Sequence, residues 1–189
     1  MFTAIFLTFM LLMAVQRIYE TFFKKGRKKG AIVNKWTLAA LTIVHFIVGI
    51  GAIVEYFLIQ RPLNPAITCL GFGLYFFALI GRNLAIRNLG EYHSPHIEIR
   101  DEHPLIKTGL YKYVRHPIYF FTIFELCSVP LIPNSYYAFF FAISAYVPLL
   151  FVRLFYEEKA MIERFGEEYL QYKSEVWGLL PMKKAKNRK

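Results

Sequence analysis

The chain has 189 residues, 56% of them hydrophobic and 18% aromatic, with 23 Lys and Arg against 13 Asp and Glu, a formal net charge of +10. Ordinary soluble domains are about 45–50% apolar, so the composition points to a membrane protein, and the length leaves no room for a second soluble domain of typical size. Nucleic acid is excluded as the reason for the charge. The basic residues concentrate at 24–35 and 183–189, each beside an apolar segment, where anionic lipid attracts them.

Five apolar stretches predict an all-α integral membrane protein of about five transmembrane helices. Residues 2–18 are nearly unbroken until Gln16 and Arg17, residues 36–59 carry only His45 and Glu55 as titratable groups, and residues 66–86 are interrupted by Arg82 and Asn83. With their flanks these three reach the ~20 residues that a spanning helix needs. Residues 117–131 and 136–152 are shorter, and the turn-like Ile132-Pro-Asn-Ser135 joins them into a tight helical hairpin, tilted or ending early. The first run lacks a basic region before its apolar core and a clear small-residue cleavage site, so it reads as helix one rather than a signal peptide.

The cluster Lys24-Lys-Gly-Arg-Lys-Lys29 follows the first helix, whereas Gln60-Arg-Pro-Leu-Asn-Pro65 carries one positive charge. The positive-inside rule therefore puts the first loop in the cytoplasm and the amino terminus outside. Counting crossings puts residues 87–116 and the basic tail in the cytoplasm as well. After the hairpin, residues 156–165 have amphipathic helical spacing and Gly166 interrupts them. Glu167 and Glu168 suit the first turn of another helix, where negative charge is favoured. Tyr169, Tyr172 and Val176 continue an apolar stripe. A C-terminal amphipathic helix lying on the bilayer or packing onto the cytoplasmic loop satisfies that pattern equally well.

Ionisable groups inside apolar helices are costly. Arg82 and Glu55 lie near helix ends and are expected to snorkel to opposite boundaries. Glu125 lies farther from an end, and Arg82 is its natural partner, although the sequence leaves that pairing open. His45 reads as a hydrogen-bonded packing residue. Cys69 and Cys127 both lie in apolar runs, too few for a disulfide framework or a zinc site. His93-Ser-Pro-His96 is a weak metal pair, because Pro95 interferes with a regular helix and no further His–Glu signature follows. No metal is expected.

The densest chemistry lies in Gly109-Leu-Tyr-Lys-Tyr-Val-Arg-His-Pro-Ile-Tyr119 and in Arg153-Leu-Phe-Tyr-Glu-Glu158, at the two ends of the hairpin and therefore on one side of the bilayer. Arg153 and Glu157 stand one helical turn apart, the spacing of an ordinary i,i+4 ion pair. Glu157 and Glu158 beside Tyr111, Tyr113, Tyr119 and Tyr156 make a pocket for a cation, with carboxylates for Coulomb attraction and tyrosine faces for cation–π contact. A nearby Arg or His would bind a carboxylate. S-adenosylmethionine has a positive centre, an amino group and a carboxylate, and matches this set.

These motifs resemble the isoprenylcysteine carboxyl methyltransferase family, integral membrane enzymes that use S-adenosylmethionine. The resemblance covers residues 89–181. It begins with Glu98-Ile-Arg-Asp-Glu-His-Pro-Leu-Ile-Lys-Thr-Gly109, then Tyr111 to Tyr119, then Arg153 with Glu157-Glu158, and ends in Phe165-Gly-Glu-Glu-Tyr-Leu-Gln-Tyr172. It implies a compact prokaryotic-type member with amino-terminal transmembrane helices over 1–88, a methyltransferase core over 89–181 and a basic tail over 182–189. It also implies a cytoplasmic cofactor pocket lined by His103, Leu105, Ile106, Tyr111, His116, Pro117, Tyr119 and Glu157, with residues 103–106 strand-like. Glu157 matches the cofactor-facing acid, and Arg153 matches the arginine near the reacting groups. The acceptor would be a lipophilic carboxylate such as a prenylcysteine, entering from the bilayer; a phenol or enol acceptor would need a base, for which His116 is the candidate.

Two departures stand out. Phe120-Phe121 replaces the small residue that often follows the His-Pro-x-Tyr element, which would narrow the lipid-facing tunnel. Asp101-Glu-His103 replaces the usual Asp-Gly-His turn. Competing readings are O-methylation of another small hydrophobic acid, phenol or lipid, a non-catalytic membrane scaffold or transporter, and a reductase like the sterol reductases that binds NADPH.

Overall fold

The computed structural model describes residues 1–20, 30–99 and 104–180. His103 and the basic clusters at 24–29 and 183–189 lie outside the described residues. Helix α1 spans Phe2–Ile18, α2 spans Lys35–Ile59 and α3 spans Pro65–Leu89, extended by a 3-10 turn at Gly90–Tyr92. Helix α4 spans Pro117–Leu131 and α5 spans Tyr136–Phe141. A π-helical stretch, Ala142–Tyr146, joins α5 to α6, Val147–Phe165, and α7 spans Glu167–Glu175. Two three-residue strands, β1 (Ala31–Val33) and β2 (Ile97–Ile99), pair antiparallel with Ala31 opposite Ile99. This ribbon interrupts the expected all-helical pattern. The strand lies at 97–99, and Leu105 and Ile106 are in irregular backbone rather than the strand expected there.

Three helical segments are long and apolar enough to cross a membrane, Lys35–Ile59, Pro65–Tyr92 and Tyr136–Phe165, while Phe2–Ile18 and Pro117–Leu131 are shorter apolar helices. At 1.5 Å per residue α2 is about 37 Å long and α4 only about 22 Å, against a hydrocarbon core of about 30 Å. The protein is an integral membrane protein with a mostly helical bundle. The last long segment runs unbroken from Tyr136 to Phe165. Residues 156–165 are therefore the projecting end of the second hairpin arm and not a separate surface helix. No breaker separates them from the apolar part, because Pro148 falls at the start of α6, just after the π stretch, where its missing N–H disturbs least. Helix α7 turns back at Gly166, whose φ of +53° suits glycine. Of the two placements open for the apolar stripe, Tyr169 and Tyr172 take the packed one: both are buried, and Tyr172 O–H donates to the Tyr111 carbonyl at 2.5 Å.

The hairpin turn is held at its far end by Asn134, whose φ is +62°. Its Oδ1 accepts from Asn64 N at 2.7 Å and its Nδ2 donates to Thr68 Oγ1 at 3.0 Å, tying α4 to the start of α3. Glu55 does not snorkel. Its carboxylate is buried and accepts the backbone N–H groups of Tyr137 (3.2 Å) and Ala138 (2.9 Å), capping α5, with Arg61 at 3.1 Å.

Arg82 is also not at a boundary. Its side chain is 3% exposed, and it pairs with Glu125 at 2.8 Å and with Glu20, two residues past α1. Arg17 of α1 meets the same Glu125 at 2.8 Å. Burial of charge in an apolar bundle is tolerated because the charges neutralise one another.

Helices α3 and α4 pack closely because glycines face α4. A Cβ placed on Gly81 would lie 2.1 Å from the Phe121 ring, and one on Gly71 would lie 2.9 Å from the Ile132 backbone nitrogen. Phe121 is thus sunk into the α3–α4 seam beside Phe77, and Phe120 meets Phe121 and Phe124 edge to face. Neither lines the cavity described below, which corrects the expectation that this pair narrows a lipid tunnel. Gly81→Ala is expected to lower the thermal unfolding midpoint in detergent, since overpacking costs about 1–3 kcal/mol. Adding Phe121→Ala should recover part of that loss. Equal losses that add in the double variant would contradict the packing described.

Candidate functional site

One cavity of about 650 Å³ runs through the bundle. Its polar end is walled by Tyr111, Glu157, Arg164, Tyr169 and Tyr172, its middle by Arg153, Tyr119 and Pro95, and its apolar end by Leu7, Met10, Phe46, Ile50 and Ile53. Leu7, Phe46 and Ile50 also lie on the outer surface, at 40%, 55% and 59% exposure, as lipid-facing residues do. The apolar end therefore opens sideways between α1 and α2.

Among the expected site residues, Leu105, Ile106, Tyr111, His116, Tyr119, Arg153 and Glu157 all line this one cavity. Pro117 does not. It is buried at the first position of α4, where its fixed φ starts the helix and aims His116. His103 falls outside the described residues.

The two adjacent carboxylates have different surroundings. Glu158 is clamped by two cations and an imidazole: Arg115 Nε donates to it at 3.0 Å, Lys173 Nζ lies at 2.6 Å and His116 Nε2 at 3.3 Å. Arg115 also donates to the carbonyls of Lys173 (3.2 Å) and Val176. Backbone bonds from Arg115 N to Trp177 O and from His116 N to Gly178 O, both 2.9 Å, complete the attachment of residues 173–178 to the 109–116 turn. Glu158 is a structural clamp and lies off the cavity. Glu157, one residue earlier and about 100° round the helix, lines the cavity. It accepts the Tyr119 hydroxyl, with His116 Nδ1 at 3.8 Å.

Arg153 does not pair with Glu157 directly. Its Nε donates to Tyr119 Oη at 2.8 Å, its Nη1 to Thr37 Oγ1 at 2.9 Å and its Nη2 to the Pro95 carbonyl at 2.6 Å. Tyr119 thus joins the two, accepting from Arg153 and donating to Glu157. All three direct partners of the guanidinium are neutral, so its charge has no adjacent counterion among the described residues. A guanidinium has five N–H donors, and among the described residues three are used, which leaves two for an anion. Thr37 and Pro95 come from the start of α2 and from the loop before β2. Sequence spacing gave no signal for either, because both contacts join segments 58 or more residues apart.

Burial raises the phenol pKa of Tyr111 well above its ordinary value, with the Glu157 charge adding to it, and pushes Tyr172 up to about 12. Both rings stay neutral at physiological pH. They offer aromatic faces and O–H donors but no base. A neutral aromatic wall next to a carboxylate suits a cationic ligand. Among the described residues no group of three or more His, Cys, Asp or Glu gathers to hold a metal ion.

Residues 70–163 match the model of the isoprenylcysteine carboxyl methyltransferase (ICMT) family. Protein-S-isoprenylcysteine O-methyltransferase of Dictyostelium discoideum is 34% identical over 110 residues, covering 56% of this chain and 45% of that protein. The chain belongs to the isoprenylcysteine carboxyl methyltransferase family. Methanethiol S-methyltransferase 1 of Bradyrhizobium diazoefficiens is 37% identical to this family member over 83 residues, 43% of this chain and 28% of that protein. The solved eukaryotic intramembrane Ras methyltransferase ICMT shares its fold, with a TM-score of 0.63 and 23% identity over 72% of this chain and 52% of that one. The chain spans about half or less of the length of these named relatives. The family match starts within α3, nineteen residues before the region where the motifs carry the resemblance, and stops short of α7.

Proposed function

We propose that this protein is an S-adenosylmethionine-dependent methyltransferase that methylates the carboxylate of a lipophilic acceptor, such as a prenylcysteine, entering from the bilayer. The observation that carries the reading is the placement of Glu157 and Arg153 along one cavity, coupled through Tyr119, between a tyrosine-walled polar end and an apolar lateral opening. The Glu157 carboxylate and the neutral faces of Tyr111, Tyr169 and Tyr172 fit a sulfonium cation and exclude water around it. S-adenosylmethionine bound there supplies a methyl group on cationic sulfur, and transfer to an acceptor oxygen breaks the carbon–sulfur bond and leaves the electron pair on sulfur.

A carboxylate acceptor is already ionised near neutrality, so no residue has to remove a proton. The chain's task is alignment. Arg153, fixed on three sides, offers its remaining N–H donors to the acceptor carboxylate and orients one oxygen towards the polar end. Tyr119 keeps that arginine and the cofactor-facing acid at a set separation. In this reading α1–α3 shape the acceptor's path and residues 89–181 carry the chemistry. The amino terminus lies outside, and the polar end of the cavity faces the cytoplasm. Purified protein given tritiated S-adenosylmethionine should label a short prenylcysteine analogue as a base-labile methyl ester. Absence of label in that analogue and in simple lipophilic acids would overturn the reading.

A further inference from the structure

Between Arg153 and the apolar opening, the cavity passes a polar chamber that methyl transfer does not use. Arg17, Glu20, Arg82, His45, Thr122 and Tyr146 all line it. His45 stands edge-on to Tyr146, with ring centroids 5.2 Å apart. Tyr146 lies within electrostatic range of Arg153, Arg17, Arg82 and Glu125. An acceptor whose carboxylate sits at Arg153 must therefore lay its chain past this chamber before reaching the apolar opening.

A plain hydrocarbon chain is a poor occupant, because it would cover polar groups and satisfy none of them. Arg82 Nη2 and Arg17 Nε make no hydrogen bond among the described residues. The Arg17 side chain keeps 26% exposure, with Glu125 as its ion-pair partner. His45 lines this chamber, and a neutral imidazole carries one N–H donor and one nitrogen acceptor. The charge count selects the ligand further. Among the described residues two guanidinium groups face two carboxylates, Glu20 and Glu125, which favours a neutral polar group on the ligand over a second acid. A hydroxyl can accept from an arginine and donate to an imidazole nitrogen, and it adds no charge.

We infer that, within the class of lipophilic carboxylates, the preferred acceptor is a hydroxylated acid rather than one with a plain prenyl or alkyl tail, with its carboxylate at Arg153 and a hydroxyl partway along its chain held between Arg17 and His45. The carboxylate end rests on the proposed methyl-transfer reading; the hydroxyl end rests on the chamber alone. The test is isothermal titration of the full chain in lipid nanodiscs with hexadecanoic acid and each of its positional hydroxy isomers, with partition into empty nanodiscs subtracted. One or a few adjacent isomers should bind about tenfold or more tightly than the parent acid. In His45→Phe, which keeps a ring against Tyr146, that ratio should fall towards one. If every hydroxy isomer binds no better than the parent acid in the wild type, the inference fails, whatever the variant does. A preference that survives unchanged in both His45→Phe and Arg17→Met also overturns it. Positional preference without methyl transfer to any of these acids would sink the methyl-transfer reading and keep the chamber. Methyl transfer without positional preference would do the reverse.

Discussion

Arg153→Gln is expected to lower kcat/KM for carboxylate acceptors by about 10²–10³-fold, the usual loss when a preorganised charged or hydrogen-bonding group at the reacting centre is removed. The guanidinium is held by Tyr119, Thr37 and Pro95, with no carboxylate bonded to it among the described residues, so its positive charge is available to the acceptor. The glutamine side chain removes that charge and cannot reach all three anchors. Lysine is not a substitute, because a single ammonium cannot replace a planar fork with fixed donors. Both variants should still bind S-adenosylhomocysteine, since Arg153 lies towards the acceptor side of Tyr119. Initial-rate labelling over a range of acceptor concentrations checks this. Wild-type kcat/KM in Arg153→Gln would remove the arginine from the mechanism.

The second large effect is on stability. Glu125→Ala leaves Arg17 and Arg82 facing each other in the bundle with one of their two carboxylates gone. Removing one partner of a buried ion pair typically costs about 3–5 kcal/mol, because the remaining charge stays buried and uncompensated. The variant should unfold at a clearly lower temperature in detergent than wild type. Adding Arg82→Leu to Glu125→Ala should recover much of the loss, since the pair is then removed together. Unfolding of Glu125→Ala at the wild-type temperature would mean that these charges are not coupled as the structure places them.

Much of this arrangement is readable in the sequence, and the unreadable parts have identifiable causes. Residues 117–131 and 136–152 form the two arms of a hairpin because Ile132-Pro-Asn-Ser135 supplies a turn, and the segment beyond Val152 stays helical because nothing interrupts it until Gly166. Arg153 and Glu157 share a helix and a cavity, as their spacing implies. Their link through Tyr119 was hidden, since a direct i,i+4 pair and a bridged pair have the same spacing. The facing of Phe121 was equally hidden: where a helix is apolar on every side, periodicity does not say which side meets a neighbour. Gly81, opposite it, held the answer but could be read only with the helix pairing known. Arg82 and Glu55 lie near helix ends, and that position alone fits snorkelling as well as burial. Their partners, Glu20 and Glu125 for one and the start of α5 for the other, come from helices distant in sequence. The β1–β2 ribbon is too short, at three residues per strand, to leave a period-two pattern.

The central claim is that Glu157 and the surrounding tyrosines hold a cationic methyl donor at the polar end of the cavity. Isothermal titration of S-adenosylmethionine and of NADPH into purified protein tests it most directly, with Glu157→Ala alongside. The account predicts saturable, one-to-one binding of S-adenosylmethionine, at least about tenfold weaker in Glu157→Ala, and no binding of NADPH. Binding of NADPH alone, or S-adenosylmethionine affinity indifferent to Glu157, would contradict it.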